Sequence, residues 1–405
     1  MSVLVVSMIL TNAGAVTWTR PVNKELDMDV RLLAWEPSSG WSAPLPSELD
    51  GPSTLVLAFG SPPEEVATAR LAELTAALPQ AQLAGCSTAG EILDRRVAEG
   101  EMSVAVARFA HTTLRRAEAA VAAPTDSRQA GRELAGTLVG PGLRGVLVLS
   151  DGLGVNGTEL LNGVKEVLPA EVVVTGGLAG DGDRFAATWV VAQGRPTAGV
   201  VSAIGLYGDR VRIGHGSWGG WDSFGVERQV TRSDGKVLYE LDGEPALALY
   251  KRYLGERAAG LPATALLFPL VLCADDGGAG LVRTVLGVDE ANQSLTFAGD
   301  LPQGSRVQLM RANFDRLVEG AATAGQLAYP AEDPRGGCLA IAISCVGRRL
   351  VLGERTEEEV EAVLDSLPPA SSQVGFYSYG EISPTATGPC ELHNQTMTLT
   401  TLVEA

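Results

Sequence analysis

Gly375-Phe376-Tyr377-Ser378-Tyr379-Gly380-Glu381-Ile382, followed by Glu391-Leu392-His393-Asn394-Gln395-Thr396-Met397, is the stretch on which the reading of this chain turns. Between them, Ser383 to Cys390 holds two prolines and a glycine. Strand-like segments around a turn-rich octet predict a β-hairpin with a long loop. Side chains alternate faces along a strand, so Tyr377, Tyr379 and Glu381 share one side, and His393 and Gln395 share a side of the partner. A register that joins those sides gathers two phenols, a carboxylate, an imidazole and an amide. We expect a ligand site there, in a cavity roofed by both halves of the chain.

The 405 residues exceed what one core usually supports, and two domains are expected, 29–210 and 211–405. Hydrophobic content of 45% predicts a packed globular protein. A formal charge of −17 argues against nucleic acid and anionic membrane as partners, since both attract Lys/Arg surfaces. Cysteines 86, 273, 338, 345 and 390 form no CxxC, which points to buried thiols in a reducing cytoplasm rather than a disulfide or zinc framework. Residues 1–28 read as an extension of uncertain origin. The first sixteen are apolar but have no basic start for a secretory signal and are too few to span a bilayer.

Thr54 to Phe59 reads as a strand, and Ser61-Pro62-Pro63-Glu64-Glu65 opens a helix that stops at Pro79. Ninety residues later the unit returns. Val146-Leu147-Val148-Leu149 matches Val56-Leu57-Ala58-Phe59, Leu168-Pro169 matches Leu78-Pro79, and Ala179-Gly180-Asp181 matches Ala89-Gly90-Glu91. That constant offset predicts an internal duplication in the N-terminal lobe. Two further triplets of the same kind, Ala298-Gly299-Asp300 and Tyr379-Gly380-Glu381, lie in the second half.

The glycine-rich passage from Gly214 through His215, Trp218 and Trp221 suits close approach to a ligand. A long helix is expected from Ser305, with Val307, Met310, Phe314 and Leu317 inward. Thr356-Glu357-Glu358-Glu359 has capping-box spacing. The expected fold class is α/β, two lobes with mixed sheets covered by helices.

Gly85-Cys86-Ser87-Thr88-Ala89-Gly90-Glu91-Ile92 and Gly176-Gly177-Leu178-Ala179-Gly180-Asp181 resemble the N-terminal FIST domain. Tyr239 to Leu247, Ser344-Cys345-Val346-Gly347-Arg348-Arg349 and the closing segment resemble the C-terminal FIST domain. The resemblance spans roughly residues 30–404 and implies a sensory input module that binds a small ligand, with amino acids or their derivatives proposed. One branch of that family senses nitric oxide through haem and works with histidine kinases. Leu392-His393-Asn394-Gln395-Thr396 and the His215 to Trp221 segment look most like that branch, which implies haem b with His393 or His215 as axial ligand.

Three readings follow. In the first, Tyr377, Tyr379, Glu381, His393, Gln395 and Arg348 hold a small polar metabolite, with Cys86, Ser87, Thr88, Glu91 and Asp181 on related loops, and the chain signals to a separate partner such as a histidine kinase. In the second, a histidine carries haem within an apolar pocket. In the third, Cys86 is a nucleophile at a turn. No HExxH, P-loop lysine or GxGxxG supports a catalytic metal or a nucleotide, and the expectation is a protein without enzymatic activity.

Overall fold

The structure is a computed structural model that describes residues 28–61, 63–273, 280–329, 337–385 and 388–404. All but the last residue of the 1–28 extension, and part of the Ser383–Cys390 loop, lie outside them.

Three units of one design make up the main body. In the first, strand Thr54–Gly60, helix Glu64–Ala77 and strand Gln82–Ser87 form a strand–helix–strand crossover, the two strands parallel. The hairpin Glu91–Leu93/Arg96–Ala98 follows, and Met102–Phe109 returns antiparallel to the first strand. The second unit repeats this with Leu143–Ser150, Gly157–Lys165, Val173–Leu178, the hairpin Val190–Ala192/Arg195–Thr197, and Val200–Tyr207. The third uses Leu339–Cys345, Thr356–Asp365, Ser372–Ser378, the hairpin Gly380–Pro384/Cys390–His393, and Met397–Glu404. Each return strand also pairs with a strand that enters its unit: Met28–Glu36, Thr113–Ala120 and Val211–Trp218.

The hairpins are exchanged in a cycle. That of the first unit extends the third unit's sheet (Val374 opposite Leu93), that of the second joins the first (Val190 opposite Cys86), and that of the third joins the second (Gly177 opposite Glu381). Backbone hydrogen bonds close the same ring: Ala89 N–H to Tyr377 O at 2.8 Å, Gly180 N–H to Ser87 O at 3.0 Å, and Tyr379 N–H to Leu178 O at 3.2 Å. The predicted duplication therefore stands, and it has a third member. Ala89-Gly90-Glu91 and Tyr379-Gly380-Glu381 lead directly into their exchanged hairpins, and Ala179-Gly180-Asp181 leaves the equivalent strand of the second unit ahead of Val190–Ala192.

Strands buried on both faces read as continuous apolar runs, and all seven residues of Thr54–Gly60 and of Leu339–Cys345 are buried. Inward-facing Leu57, Phe59, Leu147, Leu149, Ile341 and Ile343 meet in one core shared by the three sheets. The opposite faces carry the helices: Leu71 and Leu74 over Val56 and Val104, Leu160 and Val164 over Val146 and Val148, Val360 and Val363 over Ala340 and Ala342. One glycine recurs where the parallel strands touch. A Cβ on Gly85, Gly176 or Gly375 falls 2.0, 1.8 or 1.7 Å from the carbonyl oxygen of Ala58, Val148 or Ala342, so only glycine fits.

The third unit carries an insertion between its entering strand and its central strand. Strands between Asp222 and Arg311 form a separate antiparallel sheet, and helix Ala246–Leu254 packs on it through Leu247 and Tyr250 with Phe268 and Phe297 in its own core. The molecule is thus α/β, with mixed sheets covered by helices, and two-lobed, the smaller lobe being this sheet.

Three local expectations are corrected. Arg306–Arg311 is a strand of the inserted sheet, and the helix starts only at Phe314. Val307 and Met310 satisfy strand alternation as well as helical spacing, and pairing with Ser223 to Gln229 decides the matter. Gly214 and Gly216 lie on the strand Val211–Trp218, and a Cβ on either meets the carbonyl oxygen of Ala328 or Ala324, so these glycines seat helix Phe314–Ala328 rather than a ligand. Finally, Ser372–Ser378 and Gly380–Pro384 are not one strand. The chain passes from one sheet to another at Tyr379.

Candidate functional site

The crossing at Tyr379 separates the residues expected to meet. Glu381 and His393 are register partners in the hairpin, on the same face, as the alternation requires. Tyr377 stays behind in its own sheet, where its hydroxyl donates to Glu359 at 2.8 Å. The Tyr379 hydroxyl donates to Gly182 O and accepts from Phe185 N–H, and its ring stacks on Phe185 at 4.3 Å. Burial pushes the Tyr379 phenol up to about 12.

A cleft of about 620 Å³ separates the inserted lobe from the body. Its apolar side is Trp221, Val271, Val282 and Met310, and its polar side is His393 and Thr396. Trp218, Arg306 and Arg316 stand exposed at the mouth, the arginines paired with Glu227 and Asp222. Apolar walls with a few convergent polar groups are the usual build of a small-molecule site.

Glu381 lies directly behind the polar wall. Its carboxyl accepts from Ser378 Oγ at 2.7 Å, Thr396 Oγ1 at 3.0 Å and Thr396 N–H at 3.3 Å. Complete burial outweighs these donors and raises its pKa to about 8. Glu91 occupies the equivalent place in the first unit, with Thr88 Oγ1 as donor three residues back, and burial raises it to about 7. His393 is buried, its Nε2 at 2.9 Å from Ser383 O, and burial together with the nearby Arg283 charge lowers its pKa to about 4. Gln395 has a left-handed backbone (φ 59°), and its carbonyl accepts from Trp221 Nε1 at 2.7 Å. The turn that carries the histidine therefore also fixes the tryptophan in the cleft.

Arg348 does not reach the cleft. It is fully buried, with Nε and Nη2 on Glu359 at 2.9 and 2.7 Å, Nη2 also on Leu317 O at 2.8 Å, and Nη1 on Gly219 O. Glu359 further accepts from Ser344 Oγ at 3.1 Å. The expected ligand-binding guanidinium is instead a tie between the cleft wall at Gly219 and helix Thr356–Asp365. The expected capping box is corrected with it: Glu359 turns inward, and Thr356 Oγ1 donates to Gly353 O.

The first-half residues serve the exchanged strands. Cys86 is fully buried in the shared core, and burial pushes its thiol far up, away from the thiolate a nucleophile needs. Ser87 Oγ accepts from Trp189 N–H at 3.0 Å and Thr88 bonds Glu91. Asp181 pairs with Arg184 and accepts from Ala186 and Ala187 N–H. None of these lines the cleft.

Haem does not fit the histidines described. His215 faces away from helix Phe314–Ala328 on its strand, opposite Thr400, and takes no part in the cleft. His393 commits Nε2 to Ser383, and the buried Arg283 cation beside it opposes a cationic iron as it opposes a proton.

Sequence reasoning singled out His393 and Glu381 and remarked on the two tryptophans without joining them to the site. It pointed to Arg283 as a cation for a ligand carboxylate, and it missed Thr396, Met310 and Glu359. The FIST N domain matches residues 54–244 and the FIST C domain residues 246–384. The chain belongs to the FIST domain family. FIST domains are sensory, ligand-binding modules of signal transduction. An uncharacterized protein from Methanocaldococcus jannaschii is 25% identical over 222 residues, covering 50% of this chain and 41% of that protein. This FIST chain thus spans less than half the length of that relative. Among solved structures, cyanuric acid hydrolase from A. caulinodans aligns over 93% of this chain and 98% of its own, at 10% identity and a TM-score of 0.35, a likeness too weak to carry an argument. Among the described residues, no helix is long and apolar enough to cross a membrane.

Proposed function

We propose that this FIST protein is a non-enzymatic sensor whose small ligand enters the cleft between the inserted lobe and the three-unit body, and that it passes the signal to a separate protein such as a histidine kinase. The observation that carries the reading is the composition of the cleft: two tryptophans and an aliphatic wall facing a polar turn whose groups are held from behind by Glu381. Arg348 and Glu359 give the signal a route, since the same buried pair holds Gly219 at the cleft and a helix whose Glu357, Glu358 and Glu361 face solvent. Five free cysteines, four of them buried, favour a reducing cytoplasm.

A thermal-shift panel of small metabolites, amino acids and haem tests the reading. A compound that raises the melting temperature and changes tryptophan fluorescence supports it. A Soret band that disappears on His393→Phe or His215→Phe replaces it with the haem sensor.

A further inference from the structure

The polar turn of the cleft has an excess of acceptors. A backbone carbonyl only accepts, so the 2.9 Å contact to Ser383 O obliges His393 Nε2 to carry the ring proton. In the neutral ring Nδ1 is then a bare lone pair, and it has no hydrogen-bond partner among the described residues. Asn394 and Gln395 follow directly; both are fully buried, and their side-chain oxygens, Oδ1 and Oε1, have no donor. Orphaned buried acceptors are uncommon and each is worth explaining.

Arg283 adds a sign. Its guanidinium is buried under Gly299 and bonded to the carbonyls of Asp300, Val282 and Leu392, while the carboxylates of Asp300 and Glu391 act on it from outside ion-pair contact. Leu392 adjoins His393, so this positive charge lies beside the histidine that borders the cleft.

We propose that His393 Nδ1 is the specificity-determining acceptor of the cleft, and that the ligand is a neutral or anionic molecule with a planar or apolar body and an O–H or N–H donor. The donor meets Nδ1 while the body lies against Trp221 and Met310. Arg283 excludes an ammonium at that end. This rests on the cleft being the ligand site, as proposed above.

The test uses the full-length protein. Nitrogen-15 NMR of its three histidines, with His393→Gln to assign the signal, reads the tautomer without any ligand. A protonated Nε2 and bare Nδ1 are expected, and a proton on Nδ1 overturns the inference. Indole, 1-methylindole and tryptamine then serve as probes, followed by isothermal titration calorimetry. Indole is expected to bind on the order of tenfold more tightly than 1-methylindole, the scale of one lost hydrogen bond, and tryptamine to bind more weakly than indole. His393→Gln, which offers a donor to Ser383 and an acceptor to the cleft, should keep that preference, and His393→Phe should erase it. Equal binding of indole and 1-methylindole, lost on Met310→Trp as the cleft fills, overturns the acceptor role and leaves the cleft as the site. Binding untouched by Met310→Trp removes both proposals.

Discussion

Replacing Arg348 by methionine probes the buried tie between cleft and helix. The substitution keeps an unbranched stem but leaves Glu359 without its guanidinium, at a position where both side chains are fully buried. Breaking a buried pair from one side costs about 3–5 kcal/mol, because the surviving charge remains desolvated. Gly219 O and Leu317 O also lose their donor. Adding Glu359→Leu removes the stranded charge, although Tyr377 and Ser344 then lose an acceptor at about 1 kcal/mol each. The double variant should therefore be more stable than Arg348→Met alone, with a coupling of about 2 kcal/mol or more in a double-mutant cycle. Urea unfolding followed by tryptophan fluorescence and circular dichroism measures all four corners. If Arg348→Met loses less than about 1 kcal/mol and the cycle shows no coupling, the pair is not the structural tie described, and the route from cleft to helix falls with it.

The threefold design predicts that Gly85→Ala, Gly176→Ala and Gly375→Ala are equally damaging, each forcing a Cβ to within 2.0 Å of a carbonyl oxygen; solubility and urea midpoints of the three check this. By contrast Gly136→Ala, on an exposed helix position with nothing within 4 Å, should stabilise by up to about 1 kcal/mol. Glu381 has its folded pKa raised to about 8, above the unfolded value, so the protonated form suits the fold. Its contribution is therefore undiminished below the unfolded pKa and is lost as pH rises toward about 8, at up to about 1.4 kcal/mol per unit. Glu381→Gln should reduce that slope in urea titrations (by about 1.4 kcal/mol per unit at most), most clearly above the Glu91 value of about 7, and an unchanged slope there would assign the titration elsewhere. Of the five cysteines, only Cys273 should react quickly with a thiol reagent under native conditions, the other four being buried; rapid labelling of Cys86 by mass spectrometry would reopen the nucleophile reading.

Much of this architecture is written locally. Apolar runs such as Val56-Leu57-Ala58-Phe59 and Ile341-Ala342-Ile343, short and bounded by turn residues, read as strands covered on both faces, and the offset between the first two units survives as repeated words in the sequence. The third unit hides because about ninety inserted residues, Asp222–Arg311, separate its entering strand from its core. Its repeat word, Gly375 to Glu381, ends in the same kind of triplet as Gly85 to Glu91 and has the same spacing, but Ala298-Gly299-Asp300 shares the triplet without belonging to the repeat.

The site was half legible for a similar reason. Alternation placed Glu381 and His393 together, since they share a hairpin. It failed for Tyr377, because nothing in Ser378-Tyr379-Gly380 announces that the chain leaves one sheet for another. Arg348 looked like a ligand residue because Glu359, its partner, sits in an acidic run that reads as surface. Only the face shared by Glu359, Val360 and Val363 points inward.

The central claim is that ligand lies between Trp221 and His393. Its most direct test is the structure of the full-length protein with any compound from the thermal-shift panel that raises the melting temperature. The account predicts that compound in the cleft, against Trp221, Met310 and the His393 to Thr396 turn. A compound bound instead at the loops of Cys86 to Glu91 and Asp181, with the cleft empty, contradicts it.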